Sequence, residues 1–258
     1  MIIKFQKFQG AGNDFIIIDN RNQVYEFTRE IVEYFCDRKF GIGADGLMLL
    51  ETCPGYDFRE ASLCGNGSRC IVAYAHRLGL FLQTTRFLAA DGEHQGEITL
   101  QGVRVKMNDV SRITVTPDYF FLDTGSPHYV KVVADAFQTD VVTAGRMIRY
   151  APSFQPGGTN VNFITPTPAC IRIATYERGV EDETLACGTG CVAAALSAAL
   201  LNHDHSGTYT LQTKGGILKV SFKQLADNHF TDIWLEGPAE FVFAGEIETP
   251  QNRDKKAM

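Results

Sequence analysis

The chain has 258 residues, 45% of them apolar and 21% charged, with a net charge of −6. That length can bury one large core or two smaller ones, and the composition carries no signature of disorder. The acidic balance gives no reason to expect nucleic acid as a partner.

In chain order, Met1 to Phe8 alternates like a strand and lacks the apolar core and small-residue cleavage site of a signal peptide. Ile16 to Ile18 reads as a second strand. The first helix begins near Thr28, a residue suited to an N-cap, pairs Ile31 with Phe35 at i, i+4, and stops before Gly41. A second helix, Cys70 to Leu78, is mostly apolar. β-branched and aromatic strand signals then run through Glu97 to Met107, Ile113 to Val115, Tyr119 to Leu122, Tyr129 to Val133, Phe163 to Thr165 and Ile171 to Glu177. The third helix, Val192 to Leu201, has only Ser197 as a polar interruption. Tyr209 to Thr213, Leu218 to Phe222, Phe230 to Glu236 and Phe241 to Ile247 complete the strands. A helix apolar all round is buried on all sides, so a sheet curled around each such helix is expected. Val192 to Leu201 is about half the ~20 residues a membrane span needs, and a cytoplasmic protein is expected. The seven cysteines, at 36, 53, 64, 70, 170, 187 and 191, are an odd count. They are expected to be reduced thiols, most of them inert packing.

Two tetrads repeat, Cys64-Gly65-Asn66-Gly67 and Cys187-Gly188-Thr189-Gly190, and each opens an apolar helical segment. Their flanks repeat as well. Gly10-Ala11-Gly12-Asn13-Asp14-Phe15 precedes the first, Gly157-Gly158-Thr159-Asn160-Val161-Asn162-Phe163 precedes the second, and Gly92 and Gly215 follow at the same offset. This is the pattern of a duplicated fold with one cysteine per half. A boundary near Thr116-Pro117 fits, giving halves 1–115 and 116–245, with 246–258 joining the first.

A helix N-terminus presents unpaired N–H groups and a partial positive charge, which lowers a thiol's pKa toward neutrality. The glycines beside Asn66 and Thr189 keep side chains away from those N–H groups, and such a turn can also grip a carboxylate. One thiol on each side of a substrate carbon fits stereoinversion: a thiolate takes the α-hydrogen, and the opposite thiol delivers a proton. Fixed N–H donors hold the developing enolate charge, so no electron-sink cofactor is required. There is no Walker A sequence, and Gly41-Ile42-Gly43-Ala44-Asp45-Gly46 does not sit as a dinucleotide fingerprint.

These motifs, with Gly125-Ser126-Pro127-His128, Tyr176-Glu177-Arg178-Gly179 and Thr184-Leu185-Ala186-Cys187-Gly188-Thr189-Gly190, resemble the diaminopimelate epimerase family from the first strand to about Gly245. The resemblance implies an α+β fold of two pseudo-symmetric halves, each a barrel-like, mostly antiparallel sheet around a central buried helix. It also implies an isomerase interconverting LL- and meso-diaminopimelate without pyridoxal phosphate or metal, a step toward lysine and peptidoglycan. Cys64 and Cys187 would be the acid/base pair, supported by His128 and Glu177. Asn13, Gly65, Asn66, Asn160, Glu177, Arg178, Gly188 and Thr189 would contact the substrate. The planar fork of Arg178 suits a second carboxylate. The partner is a small dicarboxylic amino acid, with no nucleic acid or membrane, and relatives of the fold often pair as homodimers.

Three departures stand out. Ser126 replaces a common Asn, and Gly46 a common Gln. Asp57-Phe58-Arg59 runs directly into Glu60-Ala61-Ser62-Leu63-Cys64, where the family places a strand and an Asn-x-Asp-Gly-Ser turn whose asparagine contacts substrate. A strand cut from a barrel would expose ladder N–H and C=O groups. Residues missing between about Phe58 and Ser62, and a backbone break there, are therefore expected. Alternatives are a racemase of the same fold acting on proline, hydroxyproline or histidine, an inactive relative that only binds, and a redox or zinc protein using Cys64, Cys70, Cys187 and Cys191. The last lacks the usual C-x2-C spacing.

Overall fold

The computed structural model describes residues 1–62, 67–90 and 92–249. Its strands are β1 (Ile2–Gly10), β2 (Asn13–Asp19), β3 (Gly46–Glu51), β4 (Phe58–Ser62), β5 (Thr84–Ala89), β6 (Gly92–Thr99), β7 (Gly102–Lys106), β8 (Ile113–Val115), β9 (Phe120–Asp123), β10 (Pro127–Val132), β11 (Asn160–Pro166), β12 (Ile171–Glu177), β13 (Asp182–Thr184), β14 (Ser206–Thr213), β15 (Gly216–Ala226), β16 (His229–Gly237) and β17 (Glu240–Glu248). The α-helices are α1 (Arg29–Cys36), α2 (Ser68–Arg77), α3 (Val141–Arg149) and α4 (Gly188–Asn202).

Two compact units form, one from Met1–Thr99 with the segment after Pro238, the other from Leu100–Pro238. In the first, β17 pairs with β1 and β1 with β2 antiparallel, β2 with β3 parallel, β3 with β4 antiparallel, β4 with β5 parallel, and β5 with β6 antiparallel. The second repeats that alternation: β9 with β10 antiparallel, β10 with β11 parallel, β11 with β12 antiparallel, β12 with β14 parallel, and β14 with β15 antiparallel. Parallel neighbours need a crossover, normally a helix. The four α-helices occupy these four crossovers: α1 between β2 and β3, α2 between β4 and β5, α3 between β10 and β11, and α4 between β12 and β14. The duplication seen in the tetrads is thus present in the strand pairing.

Each unit wraps its sheet around one helix. In the first, α2 packs against β1, β2, β3, β4, β6 and β17. In the second, α4 packs against β9, β10, β11, β12, β14, β15 and β16, and every residue from Gly190 to Ala199 is buried. The smaller helices cover the outside. In α1, Phe35 joins Ile3, Phe5, Ile16, Ile18 and Leu47, and the expected cap is present, with Thr28 Oγ1 accepting from Ile31 N.

The sequence signals did not indicate α3. It has an N-cap, Asp140 accepting from Thr143 N, but Gly145 interrupts it, and glycine in a helix interior is unfavourable. Packing explains the glycine: a Cβ there would strike the Tyr176 side chain, which belongs to the cluster of Tyr129, Val161, Phe163 and Ala174 beneath the helix. Glu97 to Met107 divides into β6 and β7 at an exposed turn where Gly102 has φ +134°. The expected boundary at 115/116 is corrected as well. Strand β7 pairs with β16, and β8 pairs with β9, so Gly102–Val115 belongs with the second unit, while Glu240–Gly245 pairs with β1 of the first.

The backbone break expected near Phe58–Ser62 is also corrected. β4 is continuous, with Glu51, Leu50, Leu49 and Met48 facing Arg59, Glu60, Ala61 and Ser62, and with Phe58 and Arg59 paired to β5. The buried Phe58 ring stacks on Phe87 at 5.0 Å between centroids. Phe58→Ala is expected to cost about 3–5 kcal/mol, read as a lower urea midpoint at unchanged slope.

Candidate functional site

Cys64, Gly65 and Asn66 lie outside the described residues. The next residue, Gly67, is the N-cap of α2, and a Cβ there would strike the Met48 side chain on β3. The last glycine of the second tetrad is equally tight. A Cβ on Gly190 would lie 2.5 Å from Asn162 Oδ1 on β11 and 3.3 Å from Cys187 Cβ and Sγ. Access to N–H groups is therefore not the whole reason for these glycines. Each lets a helix start lie directly on a strand, β3 in one unit and its counterpart β11 in the other.

Cys187 is the N-cap of α4 and is 3% exposed. Burial pushes its thiol up to about 12, and the negative charge of Glu177 adds to this. Thr189 Oγ1, 3.5 Å from Sγ, and the backbone N–H groups of Gly190 and Thr189 act in the opposite direction. The helix N-terminus has the expected sign, but desolvation outweighs it, so the resting group is a protonated thiol. Cys70, inside α2, is likewise buried and pushed up to about 12.

The second unit gathers several of the sequence candidates around Cys187. His128, on β10, is completely buried, and its Nε2 lies 2.9 Å from Thr189 Oγ1 and 3.0 Å from Ser126 Oγ. Burial, helped by the positive charge of Arg178, pushes the ring down to about 3, so it is neutral at physiological pH. Asn160 Nδ2 donates to Ser126 Oγ and to Pro127 O, and its Oδ1 accepts from Arg178 N at 2.8 Å. Thr124 Oγ1 donates to Thr189 O at 2.9 Å. Glu177 and Arg178 stand at the end of β12 and just beyond it, placing one negative and one positive charge near the thiol and the ring.

Sequence reasoning did not single out Asn162 and Thr175. Asn162 Nδ2 donates to Tyr129 O, and its Oδ1 accepts from Thr175 Oγ1 at 2.9 Å. A signal for Asn162 was available. Residues at i and i+2 of a strand share a face, so Asn160 and Asn162 together put two amides on one side of β11, beside the apolar Val161, Phe163 and Ile164.

In the first unit, Asn13 Nδ2 donates to Asp45 Oδ2 at 3.2 Å. Arg38 bridges Asp14 and Asp45, and the buried Lys7 pairs with Asp14 at 2.8 Å and donates to Gly43 O. Burial raises the Asp14 pKa, but hydrogen bonds from Arg38 and Lys7 outweigh it and hold the carboxyl at about 2. The Gly41 to Gly46 motif is thus a clamp on the Asn13 turn. Among the described residues no cluster of metal-ligating side chains occurs, and no helix is long and apolar enough to cross a membrane.

Two paired-strand units, each wound round a buried helix, define the fold seen in a Bacillus anthracis phenazine biosynthesis protein of the PhzF family. The TM-score is 0.76 at 12% identity, covering 96% of this chain and 99% of that one. A hydroxyproline epimerase from Agrobacterium vitis shares the fold with a TM-score of 0.69 at 13% identity, covering 95% and 92%. Sequence carries the assignment further. The family model for diaminopimelate epimerase matches residues 5–113 and 120–242. The Flavobacterium psychrophilum diaminopimelate epimerase is 43% identical over 257 residues, covering 95% of this chain and all of that one. The chain belongs to the diaminopimelate epimerase family, whose members are isomerases.

Proposed function

We infer that the chain interconverts LL- and meso-diaminopimelate by proton transfer at one α-carbon, with Cys64 and Cys187 as the acid/base pair. The observation that carries this is Cys187 itself, a buried, protonated thiol at the start of α4, faced by the Thr189 hydroxyl and by two backbone N–H groups. A thiol so held can deliver a proton to a carbanion, and the same donors stabilise the thiolate left behind. His128 and Glu177 support it, the first as a neutral hydrogen-bonding ring, the second as a charge that favours the protonated thiol. Asn13, Gly65, Asn66, Asn160, Glu177, Arg178, Gly188 and Thr189 form the substrate contacts in this reading. Arg178 meets the distal carboxylate, which favours a dicarboxylic substrate over proline. The thiols supply both proton transfers, so no cofactor or metal has a step to perform. A cytoplasmic location and a homodimer complete the proposal, to be checked by fractionation and light scattering.

The test is incubation with LL-diaminopimelate in deuterated water, followed by mass and chirality analysis. The meso product is expected to carry one deuterium at the inverted carbon, because the delivering thiol exchanges with solvent before it reacts. Inversion of proline but not diaminopimelate would move the substrate to the related racemases, and binding without label incorporation would identify an inactive relative.

Two thiols that address one carbon from opposite faces should also cross-link when the site is empty. Mild oxidation is expected to join Cys64 to Cys187 and abolish activity until dithiothreitol is added. An enzyme that stays active with that pair linked would contradict the two-thiol site.

A further inference from the structure

The amide of Asn162 is held in one orientation. Its nitrogen lies 3.0 Å from Tyr129 O and 3.0 Å from His128 Nδ1, while its oxygen receives the Thr175 hydroxyl. A backbone carbonyl can only accept, so the nitrogen, not the oxygen, faces β10. Its two hydrogens are then both engaged, one on Tyr129 O and one on His128 Nδ1. A ring nitrogen that accepts carries no proton. The proton of the neutral ring must sit on Nε2, which faces Thr189 Oγ1 at 2.9 Å and Ser126 Oγ at 3.0 Å, and Ser126 Oγ already accepts from Asn160 Nδ2. Once Thr189 Oγ1 accepts that proton, its own hydrogen cannot point back at the ring. The acceptors left to it are Cys187 Sγ and Ser126 Oγ, each at 3.5 Å.

We propose that Asn162 is a positioning residue that fixes His128 as the Nε2-protonated neutral tautomer and, through Thr189, turns a hydroxyl donor onto Cys187 Sγ. This rests on the reading of Cys187 as an acid/base residue. The donor chain runs one way, from the Asn162 amide to the ring, from the ring to the hydroxyl, and from the hydroxyl to sulfur. It stabilises the thiolate left when Cys187 gives up its proton, without the ring becoming charged. The charged groups facing this chain are Glu177 at the end of β12 and Arg178 just beyond it. Burial and the Arg178 charge keep the ring neutral. A ring that donated to Asn162 would be drawn back toward protonation, but the Tyr129 carbonyl fixes the amide the other way round.

The test begins with nitrogen-15 spectra of histidine-labelled wild-type enzyme, with His128 assigned by its loss in His128→Gln. A bare Nδ1 and a protonated Nε2 throughout the neutral range are expected. In Asn162→Asp a carboxylate faces Nδ1, and that nitrogen is expected to gain a proton. In Thr189→Val, alkylation of Cys187 by iodoacetamide, read by peptide mass against pH, should slow roughly tenfold, and Thr189→Ser should restore it. Asn162→Asp should lower kcat roughly tenfold to hundredfold with KM little changed. A wild-type ring protonated on Nδ1, or a ring spectrum indifferent to Asn162→Asp, overturns the proposal, and the first is read on the wild-type enzyme. Spectra and alkylation are read without substrate. The expected tautomer and the Thr189 effect in a chain inert toward diaminopimelate would sink the functional reading alone, and epimerisation with the other tautomer would sink this one alone.

Discussion

Cys187→Ala is expected to abolish net epimerisation while leaving the fold in place. Inversion needs a base on one face and an acid on the other, and removing either leaves no group to complete the transfer. The fall in kcat/KM should reach at least ~10³-fold, toward the upper part of the range for a positioned acid or base. The loss of one buried sulfur atom should change stability by only about 1 kcal/mol. The informative measurement is isotope exchange rather than turnover. With one thiol remaining, the α-proton of one stereoisomer can still be removed, exchanged with solvent and returned to the same face. Label should therefore enter one isomer without inversion, and Cys64→Ala should show the complementary behaviour with the other. Cys191→Ala is the control, since Cys191 is wholly buried inside α4 and its loss should affect packing alone. Full turnover in Cys187→Ala would remove the two-base mechanism.

The architecture was legible mainly through repetition. Two apolar helices in a chain of strands implied two wrapped sheets, and α2 and α4 are those helices. The repeat also held information that periodicity alone did not. Helix α1 lies between β2 and β3, so a duplicated fold requires a helix between β10 and β11, where α3 is found. Gly145 hid it because its reason is tertiary, a close approach to Tyr176 that no local pattern displays. In the same way, β3 and β5 follow as counterparts of β11 and β14. The domain boundary failed for a different reason, since β7 joins the second unit through its pairing with β16, far along the chain.

At the site, residue identity was more legible than electrostatics. Cys187, His128, Asn160, Glu177, Arg178 and Thr189 were all named from the sequence, and the structure places them within one unit. The direction of the Cys187 shift was not foreseen, because a helix N-terminus is visible in a sequence and the depth of burial is not. Here burial prevails, giving an acid rather than a standing thiolate. Asn162 was quoted within a motif but given no role, because its contacts with Tyr129, His128 and Thr175 come from two neighbouring strands.

Gly190→Ala should have the second large effect. On helix propensity alone the change is favourable by up to about 1 kcal/mol, so local reasoning predicts a neutral or stabilised protein. The tertiary contact predicts the reverse. The new methyl would lie 2.5 Å from Asn162 Oδ1, and that oxygen cannot retreat freely while Thr175 Oγ1 holds it at 2.9 Å and Tyr129 O and His128 Nδ1 hold the nitrogen of the same amide. On the other side the methyl meets Cys187 Cβ and Sγ at 3.3 Å. Overpacking of this kind costs about 1–3 kcal/mol, which exceeds the propensity gain. Relief requires α4 to lift from β11 or the Asn162 amide to turn, and either moves Sγ relative to His128 and Thr189. The expected result is a net loss of up to about 2 kcal/mol in denaturant unfolding together with a fall in kcat of roughly 10²-fold. Gly207→Ala provides the comparison: no atom lies within 4 Å of a Cβ at that position on β14, so it should change stability by less than about 0.5 kcal/mol and leave kcat alone. A Gly190→Ala enzyme with wild-type stability and turnover would show that the helix start does not rest on Asn162 as closely as the structure places it.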